Sequence, residues 1–153
     1  WDRQSPGKPH LGQILLERGM APNLDSAIQG FVRDVPGRDR IEAKTAVEAI
    51  TASGGFPVWA HPLGGEGEKR LSPEKFQRLL SALTAYGIRG LECRYSRYSP
   101  EEAAFLLDRA KKCGLTPTGG SDYHGSNKKG IVLGGLGTDW DVDIEELYGI
   151  ICK

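Results

Sequence analysis

The sequence predicts an α/β fold in which short parallel strands alternate with helices, as in a parallel sheet or barrel, after a helical start. An amphipathic helix followed by a short apolar strand occurs repeatedly between residues 42 and 124. Each of these helices ends at a glycine, and polar residues follow each strand. Residues 1–41 lack this alternation, so we predict a helical subdomain over 1–41 and the α/β part over 42–153.

Two short helices are predicted in the first third of the chain. The segment PHLGQILLERG has apolar residues at helical spacing and ends at Gly19. A second helix is predicted over about 24–32, with Asn23 as its cap. The following segment, RDVPGRDR, combines charge with proline and glycine and is predicted to be an exposed connection.

The helix–strand units then follow in order along the chain. Capping signals support the second and third helices: Ser72 precedes Pro73 in one, and Ser99 forms a capping box with Glu102 in the other. The apolar segment IVLGGLG and a last helix beginning near Asp143 are predicted after the units. The predicted helices are EAKTAVEAITAS, SPEKFQRLLSALTAY and SPEEAAFLLDRAKKC, and the predicted strand segments are FPVWAHP, IRGLECR and LTPTGGSDYH.

Composition excludes several classes of protein. The chain is 39% apolar and 26% charged with a net charge of zero, which is typical of a globular protein and gives no basic surface for duplex nucleic acid. The cysteines have no CxxC spacing and are odd in number, so we predict a reducing, cytoplasmic setting. The sequence has no apolar stretch of the ~20 residues that a membrane span needs. Because the only methionine is Met20, we expect a piece of a longer protein.

Polar residues at the strand ends are the first candidates for chemistry, because ligands of such folds bind beyond the carboxyl ends of the strands. In an extended segment Asp122 and His124 would face a common point, and this pair suits Zn, Mn or Fe. A turn cap beside a surface histidine is the alternative, and spacing alone favours it. His61 ends another apolar strand on the same predicted edge, which favours a metal site.

Further candidates lie near these strand ends. Glu92 alternates with buried positions, and three roles stay open for it: metal ligand, partner that orients a histidine, or half of a salt bridge with Arg94. The loop with Arg94, Ser96 and Arg97 suits an anionic group such as phosphate. A solvated turn without a ligand is an interpretation of equal weight. Lys8 and His10 begin a helix, where a phosphate would also be favoured.

The segments AHP, GLECRYSRYSPEE and TPTGGSDYHG, in this order and spacing, resemble the PHP (polymerase and histidinol phosphatase) family of metal-dependent phosphoesterases. The most similar branch acts on nucleoside 3′,5′-bisphosphates and short 5′-phosphorylated RNA. The segment KPHLGQILLERGMAPNLDSAIQGFV is similar to the helical insertion of that branch. The resemblance covers roughly residues 8 to 137.

This resemblance implies the C-terminal portion of a distorted (β/α)7 PHP barrel with a small helical insertion. It implies that His61, Asp122 and His124 bind metal in a site for two or three divalent ions (Mn, Zn or Fe). It also places His10 near a substrate phosphate, while Lys8 stands where the family has an arginine. Glu92 and Ser121 are candidates for residues that support the ligands.

The family's opening His-x-His segment and several later ligands are missing, since the only histidines are at 10, 61 and 124. We therefore expect part of a phosphoesterase for nucleotides or short RNA, with little activity by itself. The alternative is a shortened, non-catalytic module that binds a nucleotide or a protein, and a third reading makes these residues structural. No membrane or duplex nucleic acid is expected as a partner, and exposed barrel edges predict an oligomer.

Overall fold

A computed structural model of the chain describes residues 8–32, 41–65, 68–125 and 130–135. The chain divides into two compact units at residues 40 and 41. The elements are α1 (Lys8–Glu17), α2 (Leu24–Ala27) with a π-helical turn (Ile28–Val32), α3 (Ala43–Ala52), β1 (Val58–Trp59), α4 (Pro73–Tyr86), β2 (Gly90–Tyr95), α5 (Pro100–Cys113) and β3 (Thr116–Gly120). The predicted subdomain and barrel assignments remain predictions.

The first unit contains α1, α2 and the π-helical turn. Asn23 caps α2 as predicted, because its side-chain oxygen accepts a hydrogen bond from the Ser26 backbone N–H at 2.8 Å. The helix predicted over 24–32 is not uniform, since its second half widens into the π-helical turn. Gly30, a poor helix former, lies inside that turn. A side chain at Gly12 would meet Ile28 at 2.9 Å, so α1 and the start of this turn are closely packed.

The second unit contains a parallel sheet of three strands in the order β1-β2-β3. Val58 pairs with Gly90 in β2, and Gly90 pairs with Thr116 in β3. The β2–β3 register shifts between Glu92 and Arg94, which is a β-bulge or a related irregularity. The prediction of a mixed α/β fold with a parallel sheet is confirmed, and the complete barrel stays a prediction.

Local capping explains why α4 and α5 begin and end where predicted. The Ser72 hydroxyl accepts from the Lys75 N–H, and Ser99 and Glu102 form the predicted capping box. Each helix ends at a glycine with a left-handed backbone, Gly87 at φ 97° and Gly114 at φ 65°.

Two of the three strands are shorter than the apolar segments that predicted them. β1 covers only Val58–Trp59 of the seven-residue segment FPVWAHP. The prolines at 57 and 62 have no N–H to donate to a neighbouring strand, and His61 turns away with φ 49°. β3 ends at Gly120, and Asp122 follows with φ 56°. His61 and Asp122 therefore leave the extended conformation beyond the ends of their strands.

The core lies on one face of the sheet. Leu91, Cys93 and Tyr95 alternate along β2, are fully buried, and form one cluster with side chains of α4 and α5. Burial raises the pKa of the Cys93 thiol to about 12. Cys93 and Cys113 are both free thiols. Glu92 occupies the opposite face, as its alternation with Leu91 and Cys93 predicted.

The predicted last helix, which begins near Asp143, lies outside the described residues. Cys152 and the end of the segment IVLGGLG lie outside them as well. Within the described ranges, none of the helices has both the length and the apolar character needed to cross a bilayer.

Candidate functional site

The carboxyl ends of the three parallel strands bring five polar or aromatic side chains together. His61 follows β1, Glu92 and Tyr95 belong to β2, and Asp122 and His124 follow β3. Parallel strands end at the same edge of a sheet, so residues 61, 92, 95, 122 and 124 converge although 63 positions separate the first from the last. We call these residues the strand-end site.

His61 lies between two carboxylates. Its backbone N–H donates to Glu92 Oε2 at 2.7 Å, and its ring Nδ1 lies 3.2 Å from the same oxygen. The Nδ1–Oε2 approach does not have hydrogen-bond geometry, so this buried nitrogen has no hydrogen-bond partner among the described residues. On the other side of the ring, Nε2 lies 3.8 Å from Asp122 Oδ2. Glu92 thus sits where it can orient the His61 ring.

Asp122 and His124 meet through a turn, which corrects the expectation that an extended strand would point them the same way. Asp122 has a left-handed backbone with φ 56°, so strand alternation does not apply. His124 folds back instead, and its Nδ1 lies 2.8 Å from the Asp122 carbonyl oxygen and 3.3 Å from Asp122 Oδ1. Asp122 is therefore approached by one histidine at each carboxylate oxygen.

Backbone strain is concentrated at this site. Among the described residues, His61 and Asp122 are the only two that are not glycine and have a positive φ, at 49° and 56°. A left-handed backbone is unfavourable for most residues with a side chain, by roughly 1–2 kcal/mol, although aspartate tolerates it better. Residues in such conformations cluster at active sites and ligand clamps. The two strained residues here are also the two that face one another.

The site concentrates negative charge in a partly buried place. Burial raises the pKa of Glu92 above its ordinary value, and the Asp122 carboxylate adds to this rise, while the His61 N–H and ring act to lower it. A side chain at Gly120 would come within 3.3 Å of Glu92 Oε1, so the glycine leaves room for this carboxylate. Two neighbouring carboxylates favour a positive group between or beside them.

The donor types suit a divalent metal, and part of the geometry does too. Two ligands at about 2.1 Å from a tetrahedral zinc lie about 3.4 Å apart. The 3.8 Å between His61 Nε2 and Asp122 Oδ2 is close to that spacing. Within the described ranges, however, no three His, Cys, Asp or Glu side chains form a group that could hold a metal ion. The described residues thus fit as part of a metal site and do not close one by themselves.

Tyr95 is a member of the site that the sequence reasoning did not select. Its hydroxyl donates to Asp122 Oδ2 at 3.3 Å, and its ring packs edge-on against His61 with centroids 4.5 Å apart. The side chain is fully buried. Its place on β2, in phase with Cys93, predicted burial, but nothing in the sequence indicated contact with both His61 and Asp122.

Arg70 is a second residue that the sequence reasoning missed. Its guanidinium donates to the Gly64 carbonyl at 3.0 Å and to the Arg97 carbonyl at 2.8 Å, and it pairs with Glu102 at 2.7 Å. It also stacks over the Tyr98 ring at 5.0 Å. One side chain therefore connects the loop after β1, the loop after β2 and the first turn of α5.

The predicted phosphate-binding residues fall in different places. The Ser96 hydroxyl donates to the carbonyl of the buried Ser121 at 2.9 Å, so these two residues join the loops after β2 and β3. Arg94 is half-buried on β2, and the Arg97 side chain is exposed. Lys8 and His10 belong to α1 in the first unit. Their roles with a substrate stay predictions.

Two solved structures are similar to this chain over nearly its whole length. One is a protein assigned as a metal-dependent phosphoesterase from Bifidobacterium adolescentis ATCC 15703, with 28% identity, a TM-score of 0.66, and coverage of 95% of this chain and 50% of that chain. The other is an amidohydrolase from Chromobacterium violaceum, solved with bound sulfate and no metal, with 22% identity, a TM-score of 0.60, and coverage of 93% and 50%. No family model and no curated protein matches the chain.

The chain spans about half the length of these two structures. Each similarity covers both the helical first unit and the α/β second unit, because it extends over more than nine-tenths of this chain. The chain therefore has a mixed α/β fold with a small parallel sheet, similar to that of a metal-dependent phosphoesterase.

Proposed function

We propose that this chain forms part of a metal-dependent phosphoesterase that hydrolyses phosphate esters of nucleotides or short oligonucleotides. The observation that carries the proposal is the pair of His61 and Asp122. They follow different strands, both have strained left-handed backbones, and their facing atoms lie 3.8 Å apart. Structural similarity to a metal-dependent phosphoesterase supports the same activity.

In this proposal His61, Asp122 and His124 contribute ligands to a site for two or three divalent ions such as Mn, Zn or Fe, which further residues complete. Imidazole and carboxylate together suit these ions. The chemistry that such an ion supplies is polarisation of the phosphoryl group and a lowered pKa for water. Glu92 accepts a hydrogen bond from the His61 backbone N–H at 2.7 Å and lies 3.2 Å from ring Nδ1, while ring Nε2 faces Asp122 at 3.8 Å.

The proposed substrate contacts involve cationic side chains near the carboxyl edge of the sheet. Arg94 and Arg97 flank the end of β2, and a guanidinium suits the oxygens of a phosphate. Ser96 and Ser121 fix the loops on either side through their 2.9 Å hydrogen bond. We assign substrate contacts to Arg94, Arg97 and Ser96. The phosphate role predicted for Lys8 and His10 is a separate proposal within the first unit.

The proposal includes ligands from outside this chain. The described residues form no group of three or more metal-binding side chains, and the chain spans about half of each similar structure. We therefore propose that the full metal site draws on residues of a longer protein and that the 153-residue chain alone hydrolyses substrate weakly or not at all.

A second candidate is a non-catalytic module that binds a nucleotide or a protein. The observation that favours it is the same lack of a three-ligand group in the described ranges. The two candidates differ in chemistry, because only the first requires metal-dependent hydrolysis, whereas the second is a shortened module that only binds.

Phosphate release from nucleoside bisphosphates and short 5′-phosphorylated RNA, assayed with Mn²⁺, tests the proposal. The 153-residue chain is compared with a form that includes the coding sequence upstream of Trp1. We expect hydrolysis by the longer form, and a loss of at least roughly 10–100-fold when Asp122 is replaced by Asn. A longer form that bound no metal and hydrolysed none of these esters would overturn the proposal. Nucleotide binding without hydrolysis would instead support the second candidate.

A further inference from the structure

The strain at His61 and Asp122 needs neighbours that hold both residues in place. Strained backbone conformations persist only where the surrounding structure determines them, and each costs of order 1–3 kcal/mol. Both residues lie beyond the ends of short strands, so few sheet hydrogen bonds restrain them. Side-chain contacts are therefore the restraints to look for.

Tyr95 contacts both strained residues from the buried side. Its ring contacts His61 and Tyr98, with centroid distances of 4.5 and 5.1 Å and interplanar angles of 64° and 79°. Its hydroxyl donates to Asp122 Oδ2 at 3.3 Å. Because Tyr95 is fully buried and belongs to the central strand, its side chain can restrain the positions of His61 and Asp122.

The hydroxyl of Tyr95 has a specific effect on the Asp122 carboxylate. The last torsion of an aspartate side chain is broad, so a carboxylate held at one oxygen can still rotate. Here Tyr95 holds Oδ2 while His124 Nδ1 lies 3.3 Å from Oδ1. Each carboxylate oxygen has two acceptor sites, so Oδ2 can accept from Tyr95 and still face His61 Nε2.

We propose that Tyr95 is a positioning residue for the metal site: its hydroxyl fixes the Asp122 carboxylate, and its ring fixes the His61 imidazole, at the separation of two ligands of one ion. This inference rests on the proposed function for the identity of the ligand, a divalent metal. The positioning itself is a property of the protein without metal and can be measured there.

The test compares Tyr95→Phe with Tyr86→Phe in the full 153-residue chain. Tyr95→Phe removes one oxygen and keeps the buried ring, while Tyr86 lies on the exposed side of α4 and serves as the matched control. Thermal unfolding checks that both variants fold. Two quantities are then measured: Mn²⁺ affinity by titration, and the ring ¹⁵N signals of His124 in chelator-treated protein.

His124 is the informative probe because Tyr95 reaches it through Asp122. We expect Tyr95→Phe to shift the His124 ring signals without metal and to weaken Mn²⁺ binding by roughly 10–100-fold, as is typical when a partner that orients a ligand is lost. Tyr86→Phe should do neither. Unchanged His124 signals in Tyr95→Phe would overturn the inference.

The outcome for the proposed function is separate. If neither the wild-type chain nor a longer form bound Mn²⁺, the proposal of a metal site would be overturned. The His124 signals in the metal-free protein would still decide whether Tyr95 positions Asp122. If the wild-type chain bound Mn²⁺ and Tyr95→Phe bound it with the same affinity, the proposed function would stand and the positioning role of Tyr95 would be rejected.

Discussion

The left-handed backbone at Asp122 makes it possible to test its structural role separately from its proposed role as a metal ligand. Aspartate and asparagine tolerate a positive φ better than most residues because their short polar side chains bond locally. In this chain the Asp122 carboxylate accepts a hydrogen bond from the distant Tyr95 hydroxyl and lies 3.3 Å from His124 Nδ1. Its replacement by different small residues should therefore affect stability and metal binding differently.

We predict that stability decreases in the order Asp122→Asn, Asp122→Gly, Asp122→Ala. Asparagine keeps an oxygen for the Tyr95 hydroxyl and tolerates φ 56°, glycine loses the contact without strain, and alanine loses the contact and is strained. Alanine should be less stable than glycine by roughly 0.5–1 kcal/mol, after allowing for glycine's greater freedom in the unfolded chain. Urea unfolding measures this order, and all three variants should bind Mn²⁺ poorly. If Asp122→Ala were as stable as Asp122→Gly, the backbone strain inferred at position 122 would be contradicted.

At the residue scale, the sequence identified His61, Asp122 and His124 as candidates because their chemistry and their places after strands are visible in it. It did not predict how they meet. The approach of His124 to Asp122 depends on a backbone turn at Asp122, and the contacts of Tyr95 depend on strands that are distant in the chain. The spacing of two residues between Asp122 and His124 determines neither the backbone conformation at Asp122 nor the contacts that these residues make with distant strands.

At the scale of elements, the α4 and α5 boundaries were predictable and the strand lengths were not. Ser72, Ser99 and the terminal glycines act within one helical turn, so the local sequence determines those ends. Strand length depends instead on which backbone groups find partners in a neighbour. Proline and left-handed turns limit β1 to Val58–Trp59 inside a longer apolar segment.

Arg70 links three of these elements, and we predict that its replacement by lysine loosens the loops that carry the site. Lysine keeps the charge but cannot reach Gly64, Arg97 and Glu102 at once, because it lacks the planar fork of a guanidinium. Backbone amides of 61–65 and 96–99 should exchange hydrogen about tenfold faster, while α3 stays unchanged.

Hydrogen exchange followed by mass spectrometry checks this prediction, with Arg78→Lys on the exposed face of α4 as the matched control. Arg78→Lys makes the same chemical change away from the loops and should leave their exchange as in wild type. Equal exchange in the two variants would show that the loops do not depend on Arg70.

At the scale of the whole molecule, two findings support the proposal that residues of a longer protein complete the metal site. The chain spans about half of each similar structure, and its described residues form no group of three or more metal-binding side chains. The balanced charge of twenty basic and twenty acidic residues adds no general attraction for a cation. Among the described residues, we therefore expect metal affinity at the strand-end site, weak enough to need an excess of ion.

We predict that Mn²⁺ stabilises the folded chain and that a chelator reverses the effect. An ion that binds only the native state raises the free energy of unfolding by about 2.7 kcal/mol at a hundredfold excess over its Kd, which corresponds to a Tm increase of about 5–10 °C. Mg²⁺ prefers oxygen ligands and should have a much smaller effect, because His61 and His124 are nitrogen donors. Thermal unfolding with each ion, in wild type and in Asp122→Asn, measures this. A Mn²⁺ effect of equal size in Asp122→Asn would mean that the ion binds elsewhere in the chain.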